Sequence, residues 1–138
     1  MKHEIKQRVY YGDTDAYGVV WHGTYLRWME AGRVELCDQI GIDLVEMKKN
    51  DILIPVTNIN LRYKSSAKLD DNVIIETKIV NITPIVVKFA QVVKNADNNQ
   101  VYVQAEVDVV AVNGEGRLYR KMPDALKNAC MRALECSD

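Results

Sequence analysis

The sequence predicts an α+β fold in which an antiparallel sheet covers one long helix. Residues 24–40 place apolar side chains at helical spacing, and later segments have the alternation and β-branched content of strands. These segments are 56–64, 73–82, 85–94 and 101–111. The turns between them are short, which favours antiparallel neighbours. A helix followed by a run of strands buries its apolar stripe against the sheet.

The 138 residues have the composition of one globular domain, predicted to span 1–138. With 48% apolar and 27% charged residues, the chain is long enough to bury a core, and it shows no linker or repeat. Its net charge of −1 argues against a nucleic-acid-binding or membrane-surface protein. The N-terminus lacks the apolar stretch of a signal peptide or membrane span, so we expect a cytoplasmic protein.

The first predicted strand covers residues 4–11, where Ile5, Val9 and Tyr11 alternate with more polar residues. After a loop, the long helix begins at an N-cap on Gly23 or Thr24 and stops at Gly41. Its predicted apolar stripe consists of Tyr25, Trp28, Met29, Gly32, Leu36 and Ile40.

The remaining segments complete the layout. Residues 42–52 are predicted to be irregular or briefly helical. Turn-forming pairs at 70–71, 83–84 and 98–99 separate the four later strands. Residues 117–121 are predicted as a short strand end, and Pro123 opens a C-terminal helix to about residue 135.

The loop before the long helix carries the candidate chemistry. It holds two carboxylates, Asp13 and Asp15, and for both the residue pattern alone favours the role of a turn or cap, which is common for aspartate in a glycine-containing loop. The start of a helix leaves backbone N–H groups unpaired and carries a partial positive charge. No acidic side chain occupies the first turn of the predicted long helix. We therefore expect free amides able to face an oxyanion near His22, Gly23 and Thr24.

The cysteines and histidines argue against a catalytic cysteine and against a metal site. Cys37, Cys130 and Cys136 are odd in number and do not indicate a disulfide framework. A nucleophilic cysteine needs a histidine partner, and the chain has only His3 and His22. Without a cluster of ligands at metal spacing, we expect neither a metal site nor a bound cofactor.

The run G-D-T-D-A-Y-G-V-V-W-H-G-T-Y-L at 12–26 resembles the signature of hotdog-fold acyl-CoA thioesterases. The resemblance is to the 4-hydroxybenzoyl-CoA thioesterase type and its relative associated with the Tol-Pal system. The family pattern, D-x-D-x-x-G-x-V-[YW]-[HY]-x-x-Y, is matched at Asp13, Asp15, Gly18, Val20, Trp21, His22 and Tyr25. The likeness covers about the first 112 residues and implies a hotdog fold, a five-stranded antiparallel sheet wrapped around the helix. It also implies homodimers or homotetramers with active sites between subunits.

The resemblance implies roles for individual residues. Asp15 aligns with the catalytic carboxylate, which acts as a nucleophile or as a general base. The amide at the His22 position polarises the thioester carbonyl, while the His22 imidazole either orients substrate or packs at the junction. Substrate-binding positions are predicted at Gly23, Tyr25, Trp21 and Tyr17, with packing in the core as the alternative for the aromatic residues.

The implied substrate is an acyl-CoA or an acyl-carrier-protein thioester, in which CoA is part of the substrate. Its phosphates require cations, for which the candidates are Arg62, Lys64, Lys68 and Lys88, because Thr83-Pro84-Ile85 replaces the family's basic cluster. Two alternatives remain. One is a module that binds acyl-CoA or acyl-carrier protein without hydrolysis. The other is a dehydratase or hydratase, although those use a histidine that this helix lacks.

Overall fold

The computed structural model describes residues 1–136, so the last two residues of the predicted domain lie outside the described residues. The predicted α+β class is confirmed. The elements in chain order are β1 Lys2–Arg8, α1 Thr24–Gln39, α2 Leu44–Lys49, β2 Val56–Tyr63, β3 Asn72–Ile82, β4 Val86–Asn95, β5 Val101–Val110 and α3 Asp124–Glu135.

The five strands form one antiparallel sheet in the order β1-β3-β4-β5-β2. The short turns correctly predict that β3 lies beside β4, and β4 beside β5. The prediction that β2 lies beside β3 is wrong, because β2 pairs with β5 at the far edge. Residues 64–71 instead connect the two strands past the start of α1, where the Val20 amide donates to the Ala67 carbonyl at 2.9 Å.

Helix α1 buries the predicted stripe against the sheet. Five of its six members are buried and the sixth, Ile40, is half-buried. The facing strand β4 alternates as a one-sided strand does, with inward side chains at Val87, Phe89, Gln91, Val93 and Asn95. The chain leaves α1 at Gly41, whose φ of +86° is the left-handed conformation that glycine adopts without strain.

Two predicted elements differ from the structure by more than one residue. The first strand is 2–8 rather than 4–11, because the chain bends into a single 3₁₀ turn at 11–13. The Asp13 carboxylate stabilises that bend by accepting the Tyr10 amide at 2.9 Å. Residues 117–121 form only an isolated bridge, between Leu118 and Val112, rather than a strand.

Helix α3 packs against β3 and buries one side, formed by Leu126, Ala129, Cys130 and Ala133. All three cysteines are free thiols, with Cys37 and Cys130 buried and Cys136 exposed. Burial raises the pKa of the Cys37 thiol to about 11 and that of Cys130 to about 12. Within residues 1–136, no helix is both long and apolar enough to cross a membrane.

Candidate active site at the start of the long helix

A small hairpin at residues 13–21 presents the two carboxylates. The Asp15 amide donates to the Val19 carbonyl at 2.8 Å, and the Trp21 amide donates to the Asp13 carbonyl at 2.9 Å. Gly18, with φ of +80°, closes the turn by donating its amide to the Asp15 carbonyl at 3.1 Å. This arrangement carries the chain directly into α1.

Asp13 has the structural role that its sequence context favours. Its side chain is buried, and one carboxylate oxygen accepts the Tyr10 amide. The other oxygen accepts from the Arg27 guanidinium at 2.6 Å. Because Asp13 is buried and each of its oxygens accepts a hydrogen bond from the protein, it stabilises the hairpin against α1 and is not accessible to a substrate.

Asp15 is only half-buried and has a free oxygen. Its Oδ1 atom accepts the Tyr17 amide at 2.8 Å, which is an Asx turn. Its Oδ2 atom has no hydrogen-bond partner within the described residues. The turn therefore fixes the carboxylate through one oxygen and leaves the other for chemistry.

The start of α1 offers unpaired backbone donors. Gly23 is the N-cap, no side chain caps the helix, and its first turn has no acidic residue. Neither the His22 amide nor the Gly23 amide has an acceptor in the part of the chain that the structure describes. The expectation of a free Thr24 amide is wrong, because this amide donates to the Trp21 carbonyl at 2.9 Å as the chain turns into the helix.

Tyr63, at the end of β2, orients the peptide between His22 and Gly23. Its hydroxyl donates to the His22 carbonyl at 2.8 Å. Because a trans peptide is planar, holding this carbonyl directs the Gly23 N–H the opposite way. A Cβ at position 23 would overlap the ring of Trp21, so glycine allows that ring to lie against the same peptide. Sequence reasoning missed the role of Tyr63.

The predicted substrate-binding aromatics fall into two groups. Trp21 is 50% exposed and Tyr17 is 90% exposed, so the alternative of core packing is wrong for both. Tyr25 is buried, its hydroxyl accepts the Ala67 amide at 2.9 Å, and burial raises its pKa. The exposed His22 ring lies between two aromatic rings, with centroid distances of 5.0 Å to Trp21 and 6.5 Å to Tyr63.

The four basic candidates for phosphate binding lie in different parts of the fold, and Arg62 is on β2, paired with Gln104. Lys64 and Lys68 lie in the connection that passes the start of α1, where Lys68 bridges Val19 of the hairpin. Lys88 lies toward the opposite end of the sheet, paired with Asp108. Among residues 1–136, no group of three or more histidine, cysteine or acidic side chains is arranged to hold a metal ion.

Comparison with known proteins shows which proteins this chain is similar to. A profile of the thioesterase-like superfamily matches residues 9–130, which extends past the 112 residues covered by the motif resemblance. A putative esterase from Synechocystis is 29% identical over 130 residues, covering 94% of this chain and 78% of that protein. The acyl-CoA thioester hydrolase YbgC from Escherichia coli is 32% identical over 119 residues, covering 86% and 88%.

The fold recurs in solved structures. A 1,4-dihydroxy-2-naphthoyl-CoA thioesterase from Synechocystis superposes with a TM-score of 0.86, covering 95% of this chain and 96% of that one. The sequences of the two chains are only 16% identical, so the likeness is one of fold. The hotdog fold implied by the motif is thereby confirmed.

Proposed function

The chain belongs to the thioesterase-like superfamily, and from this premise we propose that it hydrolyses acyl-CoA thioesters to a free acid and CoA. The acyl-CoA thioester hydrolase YbgC, of which it covers 88%, supports this activity. The observation that carries the proposal is that one short segment holds both a half-exposed Asp15 carboxylate with a free oxygen and the unpaired amides of His22 and Gly23. A thioesterase needs these two groups, a nucleophile or base and an oxyanion donor.

In the proposed mechanism, the thioester carbonyl oxygen accepts hydrogen bonds at the start of α1. The Gly23 N–H, oriented through Tyr63, and the neighbouring His22 N–H are the donors. The partial positive charge of the helix start adds to their effect as negative charge develops on the oxygen. Removing one donor of this kind typically slows a reaction about 100- to 1000-fold.

Asp15 supplies the second group in either of two ways. As a nucleophile, Oδ2 attacks the thioester carbon, the C–S bond breaks, and CoA leaves as a thiolate that is then protonated. Water hydrolyses the resulting mixed anhydride and restores the carboxylate. As a general base, Oδ2 accepts a proton from the water that attacks the carbonyl directly, the C–S bond then breaks, and the departing CoA thiolate takes up the proton. In both routes Oδ1 stays on the Tyr17 amide, which keeps the carboxylate in place.

The residues around the junction would bind the rest of the substrate. The exposed rings of Trp21 and Tyr17 are available to contact the acyl or pantetheine group, while buried Tyr25 supports the site from beneath. The His22 imidazole has no hydrogen-bond partner among residues 1–136, so it is free to orient substrate or water. Lys68, which bridges Val19 of the hairpin, and Lys64 in the same connection are candidate cations for the CoA phosphates.

We extend the proposal to the assembly. Strand β2 pairs only with β5 among the described strands, and its Val56, Ile59 and Tyr63 side chains are exposed. Such an edge is a template for pairing with a second chain. A homodimer, or a homotetramer built from two dimers, would cover it. That the chain forms one hotdog domain over 1–138 and resides in the cytoplasm also stays a prediction.

The test is thiol release from a panel of aliphatic and aromatic acyl-CoAs, with acyl-carrier-protein thioesters as a second panel. We expect turnover of at least one acyl-CoA, and the best substrate would identify the acyl class. Tight binding of the panel without thiol release would contradict hydrolysis. In that case the chain would be a module that binds acyl-CoA or acyl-carrier protein without hydrolysing it.

A further inference from the structure

A single segment, residues 63–68, contacts both halves of the candidate site. At its start, the Tyr63 hydroxyl donates to the His22 carbonyl and so orients the peptide that offers an oxyanion donor. Near its end, the Ala67 carbonyl accepts the Val20 amide at 2.9 Å, within the hairpin that carries the candidate nucleophile or base. The separation between the candidate carboxylate and the oxyanion donors therefore depends on where this segment lies.

The backbone of this segment is hydrogen-bonded to β5 and to α1. The amides of Lys64 and Ser65 both donate to the Tyr102 carbonyl of β5, at 2.8 and 3.3 Å. Farther along the segment, the Ala67 amide donates to the hydroxyl of Tyr25 on α1 at 2.9 Å. The segment is thus held between a strand of the sheet and the long helix.

Tyr102 occupies a β-bulge. The pairing of β4 with β5 joins Val93 to Val103 and Lys94 to Val101, so Tyr102 is an extra residue on β5. A bulge interrupts the alternation of side chains, and the adjacent Tyr102 and Val103 are both buried, at 2% and 0% exposure. The bulge therefore turns the phenol ring of Tyr102 into the protein rather than toward solvent.

The partners of the Tyr102 hydroxyl fix the direction of its hydrogen bonds. The Asn95 Oδ1 atom accepts the amides of Asp97 and Asn98. The Asn95 Nδ2 atom is therefore the end that donates to the Tyr102 hydroxyl, at 2.8 Å. That hydroxyl has one hydrogen of its own to give, and it donates it to the Asp71 Oδ2 atom at 3.1 Å. These partners make Tyr102 a donor to a carboxylate.

The Asp71 carboxylate connects this phenol to the segment. The same Oδ2 atom also accepts the Lys68 amide at 2.9 Å. Hydrogen bonds to an ionised acceptor are roughly twice as strong as those between neutral groups. Lys68 also forms an isolated bridge with Val19 of the hairpin. A buried hydroxyl on β5 is thus linked, through one carboxylate, to the residues that support the hairpin.

We propose that Tyr102 is a positioning residue for the candidate site. Through Asp71, its hydroxyl fixes the location of residues 63–68. These residues in turn set the place of Asp15 relative to the Gly23 N–H. Because Tyr102 is buried, it acts through these other residues and does not itself touch the substrate.

The catalytic consequence of this role rests on the proposed hydrolysis. The ordering of residues 63–68 does not, because hydrogen exchange at backbone amides measures it in a protein that shows no turnover. The positioning role and the hydrolysis therefore succeed or fail separately.

Tyr102→Phe tests the proposal by removing only the hydroxyl. A hydrogen bond to a charged acceptor is worth about tenfold to a hundredfold in an equilibrium constant. In hydrogen exchange followed by NMR, we therefore expect the Val20 and Ala67 amides to exchange at least about tenfold faster than in wild type, relative to the Val107 amide in the middle of β5. In thiol release, kcat should fall about 10- to 100-fold with KM within about threefold, because reacting groups are misplaced and no substrate contact is removed.

Ile79→Val is the matched control for a loss of stability. Ile79 is buried on β3 and lies eight residues after Asp71, about 26 Å along the strand. Its variant loses one buried methyl group at a site remote from residues 63–68. The relative exchange of the Val20 and Ala67 amides and the kcat of this variant should equal those of wild type.

Asp71→Asn is the second variant, and it keeps the shape of the side chain while replacing a charged acceptor with a neutral one. The same two amides should exchange at least about threefold faster. Unchanged relative exchange at Val20 and Ala67 in folded Tyr102→Phe would overturn the proposal, and if Tyr102→Phe does not fold, the same result in Asp71→Asn would overturn it. An unchanged kcat in Tyr102→Phe, measured on an acyl-CoA that wild type hydrolyses, would also overturn it. A wild type without turnover would contradict the hydrolysis alone, and hydrogen exchange would then decide the positioning role.

Discussion

Tyr63→Phe removes one hydroxyl and, with it, the bond that holds the peptide between His22 and Gly23. The bond is 2.8 Å long and joins two neutral groups, and Tyr63 is 47% exposed, so water can replace either partner. A neutral bond of this kind has a net value of about 1 kcal/mol. If all of it is lost from the transition state, kcat falls about fivefold, since about 1.4 kcal/mol corresponds to tenfold in rate.

The control is Tyr119→Phe. The Tyr119 hydroxyl donates to the Asp51 carbonyl, also at 2.8 Å, and this hydrogen bond is also exposed to solvent. This side chain lies beside Ala111 rather than beside Val103, where Tyr63 pairs, which places it about 25 Å away along β5. The control thus loses the same chemical bond at a site remote from the start of α1, and its kcat should equal that of wild type.

The assay is steady-state thiol release on the best acyl-CoA of the panel, with kcat and KM separated. We expect a lower kcat at nearly constant KM for Tyr63→Phe, because the oriented N–H acts mainly on the developing oxyanion. A kcat equal to that of the control would refute the orienting role. A loss beyond about a hundredfold would also refute it, since only direct removal of an oxyanion donor has that size.

Three further predictions concern the fold and the thiols. Gly32→Ala should gain about 1 kcal/mol of helix propensity. Its Cβ would lie 2.6 Å from the Thr77 Oγ1 atom, and this overpacking should cost about 1 to 3 kcal/mol. We therefore expect a lower urea midpoint of unfolding. Asp13→Asn should lower the free energy of unfolding by about 1 to 3 kcal/mol through its weakened bond to Arg27, whereas an unchanged denaturation curve would contradict its structural role. At pH 7.5, iodoacetamide should label Cys136 first. The raised pKa values of the buried Cys37 and Cys130, about 11 and about 12, keep both of them as thiols. Earlier labelling of Cys37 or Cys130, detected by mass spectrometry, would contradict this order.

Sequence periodicity predicted the elements because most of them are locally determined. The stripe on α1 repeats every three to four residues, and β5 alternates cleanly, so each bounds its own element within one or two residues. Gly41 ends α1 as predicted because its left-handed φ suits glycine. The first strand ends early because a side chain, Asp13, captures the backbone at Tyr10, and this contact competes with continuation of the strand.

Long-range contacts could not be predicted in this way. The pairing of β2 with β5 depends on the path of residues 64–71, and a short turn alone indicates the opposite neighbour. Tyr63 is 41 residues from His22, and Tyr102 is 31 residues from Asp71. No spacing rule links residues so far apart, and an inward-facing asparagine at the end of β4 has meaning only once its partners are known.

In the candidate site, too, local features could be predicted from the sequence and long-range contacts could not. The carboxylates, the helix start and its unpaired amides were predicted from the order of residues in one short segment, because a loop that leads into a helix exposes its first N–H groups. The sequence could not distinguish Asp13 from Asp15 by physics alone. Burial and the Arg27 bond make that distinction, since they occupy Asp13 and leave one oxygen of Asp15 free.

Asp15→Asn tests the central claim most directly. The amide oxygen of asparagine can still accept the Tyr17 N–H, so the hairpin and the melting temperature should be preserved while the nucleophile or base is lost. With thiol release measured beside wild type on the same acyl-CoA panel, we expect kcat/KM to fall by at least about a hundredfold, or about 3 kcal/mol. A folded Asp15→Asn that hydrolyses acyl-CoA as fast as wild type would contradict the proposed mechanism.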